Sequence, residues 1–163
     1  MSGQRLFKIR ARTVIVATGA YEAPLVFDGN DLPGVMLGSA VQRLIHLYGV
    51  VPGQRAVIVT TNDDGWAVAA DLLSAGAKIE GLVDERKREA CISPHVDKVA
   101  ASAPVFWERT IVGADGPGSL RRALIARINA QGNADENSIQ RIACDSIVLS
   151  TGWTAAADLA YQA

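Results

Sequence analysis

The sequence predicts an α/β protein with a Rossmann-like parallel sheet, on three neighbouring observations. Residues 55–61 form a short run rich in β-branched residues with turn-forming residues on both sides, as in a buried strand. Residues 66–75 place apolar side chains at helical spacing, with Asp64 as a cap and Gly76 as a stop. Residues 77–83 are apolar again. Strand, turn, helix and strand in this order form half of a dinucleotide-binding unit.

The turn after the first strand differs from a glycine-rich phosphate-binding turn. The three glycines of that turn would fall at Thr60, Asn62 and Gly65, and only Gly65, which permits close helix–strand packing, is glycine. The turn also contains Asp63 and Asp64. A helix N-terminus attracts anions because its first N–H groups are unpaired and its dipole end is positive. Carboxylates placed there can cap the helix and repel a pyrophosphate.

Asp84, in contrast, favours the binding of a dinucleotide. It follows the second strand and lies 22 residues (84 − 62) beyond the middle glycine position, close to the spacing of an acid that binds a ribose hydroxyl. We therefore expect the unit to bind an adenine dinucleotide. The alternative is a Rossmann-like unit kept for its fold, with Asp84 as a solvated residue at a strand end.

Composition narrows the classes of protein. The 163 residues are 49% hydrophobic and carry 16 basic and 17 acidic side chains, so a core is feasible and a basic nucleic-acid footprint is absent. The sequence shows no membrane-length apolar run, no secretory signal and no Cys-x-x-Cys or metal-ligand spacing around Cys91 and Cys144. We therefore expect a cytoplasmic protein. No nucleophile–base–acid set or paired-carboxylate motif is present, so any chemistry depends on a cofactor.

Two stretches near the ends of the chain resemble each other. Residues 9–20 read IRARTVIVATGA and residues 142–153 read IACDSIVLSTGW, so that Thr18 corresponds to Thr151 and Gly19 to Gly152. Each predicts a surface strand, a bend, a buried strand and Thr-Gly. Chance similarity between apolar strands is the alternative, but the shared ending favours repetition. Because the copies bracket the strand–turn–helix unit, that unit is expected to be a domain inserted into another, whose remaining part lies upstream.

The other elements follow from periodicity and turn residues. They are strands at 6–10 and 13–17, a linker at 21–38, a helix at 39–48, a crossover helix at 94–102, a third parallel strand at 104–108, and an antiparallel meander of strands at 110–112, 120–128 and 139–144. The arginine spacing of 120–128 also fits a helix.

With these features, the chain resembles the middle of the alpha subunit of heterotetrameric sarcosine oxidase and its relatives. These proteins are related to the FAD- and NAD-dependent pyridine nucleotide-disulfide oxidoreductases, in which a nicotinamide-binding domain is inserted into an FAD-binding domain. The matching stretches are VIVATGAYEAPLVFDGNDLPGVML at 14–37, YGVVPGQRAVIVTTND at 48–63, GLVDER at 81–86 and STGWTAAADL at 150–159.

The resemblance implies a domain plan and two cofactors. Residues 1–38 would be a remnant of the FAD-binding domain plus a linker, 39–152 the NAD-binding domain, and 153–163 the return to the FAD-binding domain. NAD would be bound by the inserted domain, and FAD by the full-length subunit but not by this piece alone. The implied cofactor-binding residues are Thr18, Gly19, Thr60, Thr61, Asn62, Asp63, Gly65, Asp84, Thr151 and Gly152.

The resemblance also implies a function. Such enzymes oxidise N-methyl or secondary amino acids together with other subunits of a hetero-oligomer, and this piece alone would be inactive. Subunits of opine oxidase and of cyanide-forming glycine dehydrogenase are alternatives within the enzyme class. A non-catalytic Rossmann-like module used for the assembly of subunits is the alternative outside it.

Overall fold

The structure is a computed structural model that describes residues 4–162. Its centre is a five-stranded parallel sheet of order β2-β9-β3-β4-β5, flanked by a three-stranded antiparallel sheet of order β6-β7-β8 and a two-stranded ribbon of β1 and β10. The strands are β1 (Ala20–Glu22), β2 (Val35–Leu37), β3 (Arg55–Thr60), β4 (Lys78–Asp84), β5 (Val105–Trp107), β6 (Arg109–Asp115), β7 (Arg122–Ile128), β8 (Ala134–Ala143), β9 (Ser146–Ser150) and β10 (Trp153–Ala155), and the helices are α1 (Gly38–Tyr48), α2 (Asp64–Ser74) and α3 (Val96–Ala100).

The predicted Rossmann-like unit is confirmed as β3, α2 and β4, with boundaries within three residues of those expected. Alternate residues of β3 enter two different cores. Ala56 and Ile58 pack with α1, α2 and α3, whereas Val57 and Val59 pack against the antiparallel sheet. The parallel sheet is therefore covered on both faces, which is why its strands are almost continuously apolar.

The antiparallel meander is also confirmed. The stretch at 120–128, which fitted a helix as well, contains strand β7, because β7 is the middle strand of its sheet and pairs with both β6 and β8. Strand β8 is longer than predicted and occupies much of the expected loop before it. The predicted crossover helix is reduced to the five residues of α3. The predicted linker at 21–38 contains the short strand β2 and all of β1 except its first residue, Ala20.

The two strands predicted at 6–10 and 13–17 are absent. Neither stretch belongs to a helix or a sheet, and the exposed fractions of Val14 and Ile15 are 76% and 87%. A strand needs a backbone partner on at least one side, and no described residue pairs with either stretch. The second copy of the repeat has such partners, since β9 lies between β2 and β3 and all five of its residues are buried.

Within residues 4–162, no helix combines the length and apolar character needed to cross a membrane. The same residues contain no group of three or more His, Cys, Asp or Glu side chains placed to hold a metal ion. Cys91 and Cys144 are both free thiols in the interior.

Candidate functional site

The candidate site lies where three parallel strands end. Thr60 ends β3, Asp84 ends β4 and Ser150 ends β9, and Thr60 is in register with both of the others. Each of the three side chains is at most 1% exposed. Ligands of open α/β sheets bind beyond the carboxyl ends of their strands, so this edge is where a dinucleotide would be held.

Three backbone N–H groups of the turn predicted to lie along the pyrophosphate donate hydrogen bonds within the chain. The N–H of Thr61 donates to the carbonyl of Ser150 at 3.4 Å, and the N–H of Asn62 donates to the Thr60 hydroxyl oxygen at 3.2 Å. The N–H of Asp64, the first residue of α2, donates to the side-chain oxygen of Asn62 at 3.0 Å, whereas the N-cap residue is Asp63, which makes no side-chain capping bond, and not the predicted Asp64. These three N–H groups therefore already have acceptors.

Gly65 has the packing role that the sequence indicated. A Cβ atom on this residue would lie 2.4 Å from both Cβ and Oγ1 of Thr60. Such distances are far below van der Waals contact, so only glycine allows the first turn of α2 to approach the end of β3 this closely.

The Asp84 side chain makes its hydrogen bonds within the chain. Its side chain is fully buried, so it is not a solvated residue at a strand end. Its Oδ2 accepts hydrogen bonds from Nε1 of Trp66 and Nη2 of Arg86, both at 2.9 Å. Its Oδ1 accepts two more from the backbone N–H and Nε of Arg86, both at 3.0 Å. Both carboxylate oxygens of Asp84 therefore already have two donors each within the chain.

Arg86 connects Asp84 to the turn. Its Nη1 lies 2.8 Å from Oδ1 of Asp63, so one guanidinium bridges the carboxylates that follow β3 and β4. Hydrogen bonding to Asp84 is the main cause that raises the pKa of Arg86 above its usual range, and the bond to Asp63 adds to it. The bridge compensates the acidic charge of the turn from inside the protein.

Two stacked indoles extend this cluster. The Trp66 side chain is fully buried and stacks on Trp107, with 5.2 Å between the ring centroids and 23° between the ring planes. The guanidinium carbon of Arg88 lies 5.7 Å from the centre of the Trp107 ring. Between the ends of β4 and β5, side chains of the protein thus form hydrogen bonds with one another and stack on one another.

The two Thr-Gly pairs meet in a nearly symmetric arrangement that we call the Thr-Gly ribbon, formed by β1, β10 and the Thr-Gly pair before each strand. Thr18 Oγ1 donates to the carbonyl of Ala156, and Thr151 Oγ1 donates to the carbonyl of Ala23 at 2.9 Å. In return, the N–H of Ala156 donates to the Gly19 carbonyl at 3.0 Å, and the N–H of Ala23 donates to the Gly152 carbonyl at 2.8 Å. The repeat seen in the sequence is therefore a local two-fold exchange of hydrogen bonds.

The Thr-Gly ribbon also contacts the turn after β3. Thr61 Oγ1 donates to the carbonyl of Thr151 at 3.0 Å, and Nε1 of Trp153 donates to Oδ2 of Asp64 at 2.9 Å. All of the predicted site residues consequently gather at one edge of the parallel sheet, with Thr18 and Gly19 joined to it through the ribbon.

Three residues important at this edge were not predicted from the sequence. Trp66 and Arg86 bind Asp84, and Glu22 of β1 accepts a hydrogen bond from the N–H of Ser39 in the first turn of α1 at 2.8 Å. The presence of Asp63 and Asp84 after neighbouring strands, with an arginine two residues later, could have indicated Arg86. No local pattern indicates Glu22, because its partner belongs to a distant helix.

No protein-family model matches the chain, but curated proteins do. The sarcosine oxidase alpha subunit of Corynebacterium sp. (strain P-1) is 32% identical over 155 residues, which cover 94% of this chain and 16% of that protein. That of Rhizobium meliloti (strain 1021) is 47% identical over 83 residues, 51% of this chain and 8% of that protein. One of the subunits of opine oxidase from the same organism is 36% identical over 84 residues, 52% of this chain and 18% of that protein.

Solved structures share the fold. Thioredoxin reductase from Lactococcus lactis has a TM-score of 0.69 at 13% identity, covering 89% of this chain and 46% of that one. An FAD-dependent pyridine nucleotide-disulphide oxidoreductase from Desulfovibrio vulgaris has a TM-score of 0.63 at 18% identity, covering 89% of this chain and 36% of that one. The resemblance expected from the sequence is confirmed, and the chain spans about a sixth of the length of the sarcosine oxidase alpha subunits that cover most of it.

Proposed function

We propose that this chain is part of a flavin-dependent oxidoreductase that acts on N-methyl or secondary amino acids. The proposal is based on its homology to sarcosine oxidase alpha subunits over most of its length. The enzyme class rests on the homologues, whose names are those of oxidases. The presence of other subunits rests on the same names, since each homologue is named as one subunit of an oxidase.

Within such an enzyme, we propose that the β3–α2–β4 unit serves assembly and does not hold a dinucleotide. The observation against a bound dinucleotide is the environment of Asp84, whose two carboxylate oxygens accept four hydrogen bonds from Trp66 and Arg86. A ribose hydroxyl could bind Asp84 only by displacing a buried indole or a guanidinium. Displacing the guanidinium would also leave Asp63 beside the pyrophosphate without its counter-charge.

The segments on either side of the Rossmann-like unit are proposed to belong to an FAD-binding domain. Residues 1–38, including a linker, and 153–163 would contribute to it, and 39–152 would be the inserted domain. Two observations support this division. The Thr-Gly ribbon joins the two outer segments to each other, and an apolar hollow of about 730 Å³ is lined by residues 14–18 together with Leu159 and Ala160. FAD would then require the larger subunit for binding.

A second candidate function is NAD binding by the inserted domain, as the sequence indicated. Asp84 does end the second strand of the unit, and one solved structure of similar fold is a NAD-dependent persulfide reductase from A. fulgidus, with a TM-score of 0.64. NAD would have to open the site, with Thr60, Thr61, Asn62, Asp63 and Gly65 along the pyrophosphate and Asp84 at the ribose.

Calorimetry and tryptophan fluorescence can separate the two candidates. The chain is titrated in parallel with NAD, FAD and AMP, after circular dichroism has shown it to be folded. We expect no saturable binding of any of the three. Saturable binding of NAD that is weakened by Asp84→Asn, and unchanged by Asp115→Asn at an exposed acid, would overturn the assembly role and establish the nicotinamide site.

The substrate class needs the full-length subunit together with its partner subunits. Reduction of an artificial electron acceptor would be measured with sarcosine, with an opine and with glycine. We expect turnover with sarcosine or another N-methyl amino acid. Preferential turnover of the opine or of glycine, the latter with release of cyanide, would instead favour opine oxidase or cyanide-forming glycine dehydrogenase.

A further inference from the structure

We propose that a small polar pocket between the first turns of α1 and α2 binds a small organic ammonium ion. The pocket has a volume of about 160 Å³ and lies on the helical side of the parallel sheet, next to the Thr-Gly ribbon. Its polar lining comes from Glu22, Ser39, Gln42, Asp64, Ser150 and Trp153. This site is separate from the buried Asp84 cluster and does not rest on the proposed function.

The helix N-termini beside the pocket are already compensated. Glu22 Oε2 accepts the N–H of Ser39 at 2.8 Å, in the first turn of α1. At α2, the N–H of Asp64 donates to the side chain of Asn62 at 3.0 Å. Acceptors of the chain itself therefore already bind the N–H groups with which these helix N-termini would attract an anion. The carboxylates consequently determine the charge of the pocket.

Two polar groups that line the pocket have no hydrogen-bond partner among the described residues and point to a ligand. Ser150 is 1% exposed, and its hydroxyl forms no hydrogen bond with any residue in the described range 4–162. Along β9, Val148 faces the helices whereas Ile147 and Leu149 face the other core, so the alternation places the Ser150 side chain on the helical side, where the pocket is. Glu22 is 8% exposed, and among the same residues its Oε1 has no hydrogen-bond donor. Buried groups of this kind are normally satisfied by a protein atom, water or ligand.

The charge of the pocket favours a cation. Glu22 and Asp64 both line it, and neither takes part in an ion pair within the described part of the chain. Burying the Glu22 carboxylate without a counter-charge is costly, so a cation bound beside it would be stabilised, and the exposed Asp64 adds to the negative potential there. Gln42 donates its side-chain N–H to Asp71, which leaves the Gln42 side-chain oxygen as a further acceptor.

The size and the apolar wall favour an organic ammonium over a bare metal ion. The pocket holds the volume of about five water molecules, which suits a methylammonium-sized ion with some water. Its ammonium hydrogens would donate to Glu22, Gln42 and Ser150, and its methyl group would contact the side chains of Ala67 and Val68, which also line the pocket. For two non-hydrogen atoms, the expected dissociation constant is on the order of 10 mM.

An NMR titration tests this proposal at such affinities. Methylammonium chloride is added to the ¹⁵N-labelled chain while sodium chloride is withdrawn to keep the ionic strength constant. The signals to follow are the amide of Ser39 and the indole N–H of Trp153. We expect saturable shifts at both positions. Glu22→Gln should weaken binding by about tenfold or more, because a charge-assisted hydrogen bond is lost. Glu89→Gln, at an exposed acid remote from the pocket, should leave binding unchanged.

Ser150→Ala provides an independent test if Glu22→Gln perturbs α1. It removes the unpartnered hydroxyl without removing a helix contact, and it should also weaken binding. The absence of saturable shifts in the folded chain would overturn the proposal. The proposal would also be overturned if Glu22→Gln and Ser150→Ala bound methylammonium as well as the original chain does. It would likewise be overturned if sodium bound equally well when its concentration is raised against choline chloride.

Discussion

The indole N–H of Trp66 donates to Oδ2 of Asp84 over 2.9 Å, and both side chains are completely buried. Trp66 lies in the first turn of α2, and Asp84 ends the neighbouring strand β4. A contact that a Rossmann-like unit could make with a ribose is thus made between two of its own elements. Substitutions at this and related contacts measure how strongly they stabilise the folded state.

Replacing Trp66 by phenylalanine should lower the free energy of unfolding by about 1–3 kcal/mol, because a buried carboxylate oxygen loses a donor. Trp153→Phe is the matched control, since it removes an indole bond to the exposed Asp64 from a side chain that is itself 51% exposed. Urea unfolding measures both variants. An equal and small effect for the two would show that the buried bond contributes nothing beyond a surface bond.

Arg86→Leu should be more damaging, by about 3–5 kcal/mol, because it leaves Asp84 buried without its counter-charge. Arg122→Leu breaks a pair that is exposed on both sides and should cost at most about 1 kcal/mol. Adding Asp84→Asn to Arg86→Leu should recover part of the lost stability, since no buried charge remains. Failure of this recovery in denaturant unfolding would contradict the charge explanation.

Gly65→Ala should destabilise the protein by about 1–3 kcal/mol, although alanine is the better helix former, because its Cβ would overlap the buried Thr60 side chain. Gly113→Ala is the control, as a Cβ there would make only ordinary contacts of 3.7 Å and longer. Thermal unfolding of both variants gives the comparison. A stabilised Gly65→Ala protein would mean that helix propensity outweighs the overlap.

The Thr-Gly ribbon should respond symmetrically to loss of its hydroxyls. Thr18→Val and Thr151→Val each remove one hydrogen bond to a carbonyl on the opposite segment and should cost about 1 kcal/mol apiece. Amide hydrogen exchange at Ala23 and Ala156 should accelerate in both variants. Acceleration confined to the mutated side would show that the two halves of the ribbon open independently.

Cys144 should give the protein a specific weakness at high pH. Burial raises the pKa of its thiol to about 12, from an ordinary value of 9.0. A group whose pKa is raised by folding stabilises the folded state below the unfolded value and loses that effect as the pH rises through the folded value. Unfolding free energy should therefore fall between pH 9 and 12 more steeply than in Cys144→Ala. Urea titrations at several pH values would show this, and parallel slopes would contradict it.

Much of the fold could be predicted from local sequence. The β-branched run of β3 and the apolar spacing of α2 are statements about short stretches, and their period determines which faces are buried. Gly65 could be assigned to helix–strand packing for the same reason, since its neighbour in space, Thr60, lies shortly before it in the same unit. The stretch at 120–128 was ambiguous because only its two partner strands decide that it forms β7.

The sequence by itself determined the Rossmann-like order of elements, the repeated Thr-Gly ending and the similarity to sarcosine oxidase alpha subunits. Only the tertiary structure decided which group occupies Asp84, and that residues 13–17 remain outside any sheet. The physical reason is that side-chain partners and strand pairs are contacts between distant parts of the chain. The spacing along the sequence predicts that the Asp84 carboxylate lies at the carboxyl ends of the strands. Packing determines whether a ligand, an indole or a guanidinium contacts it there.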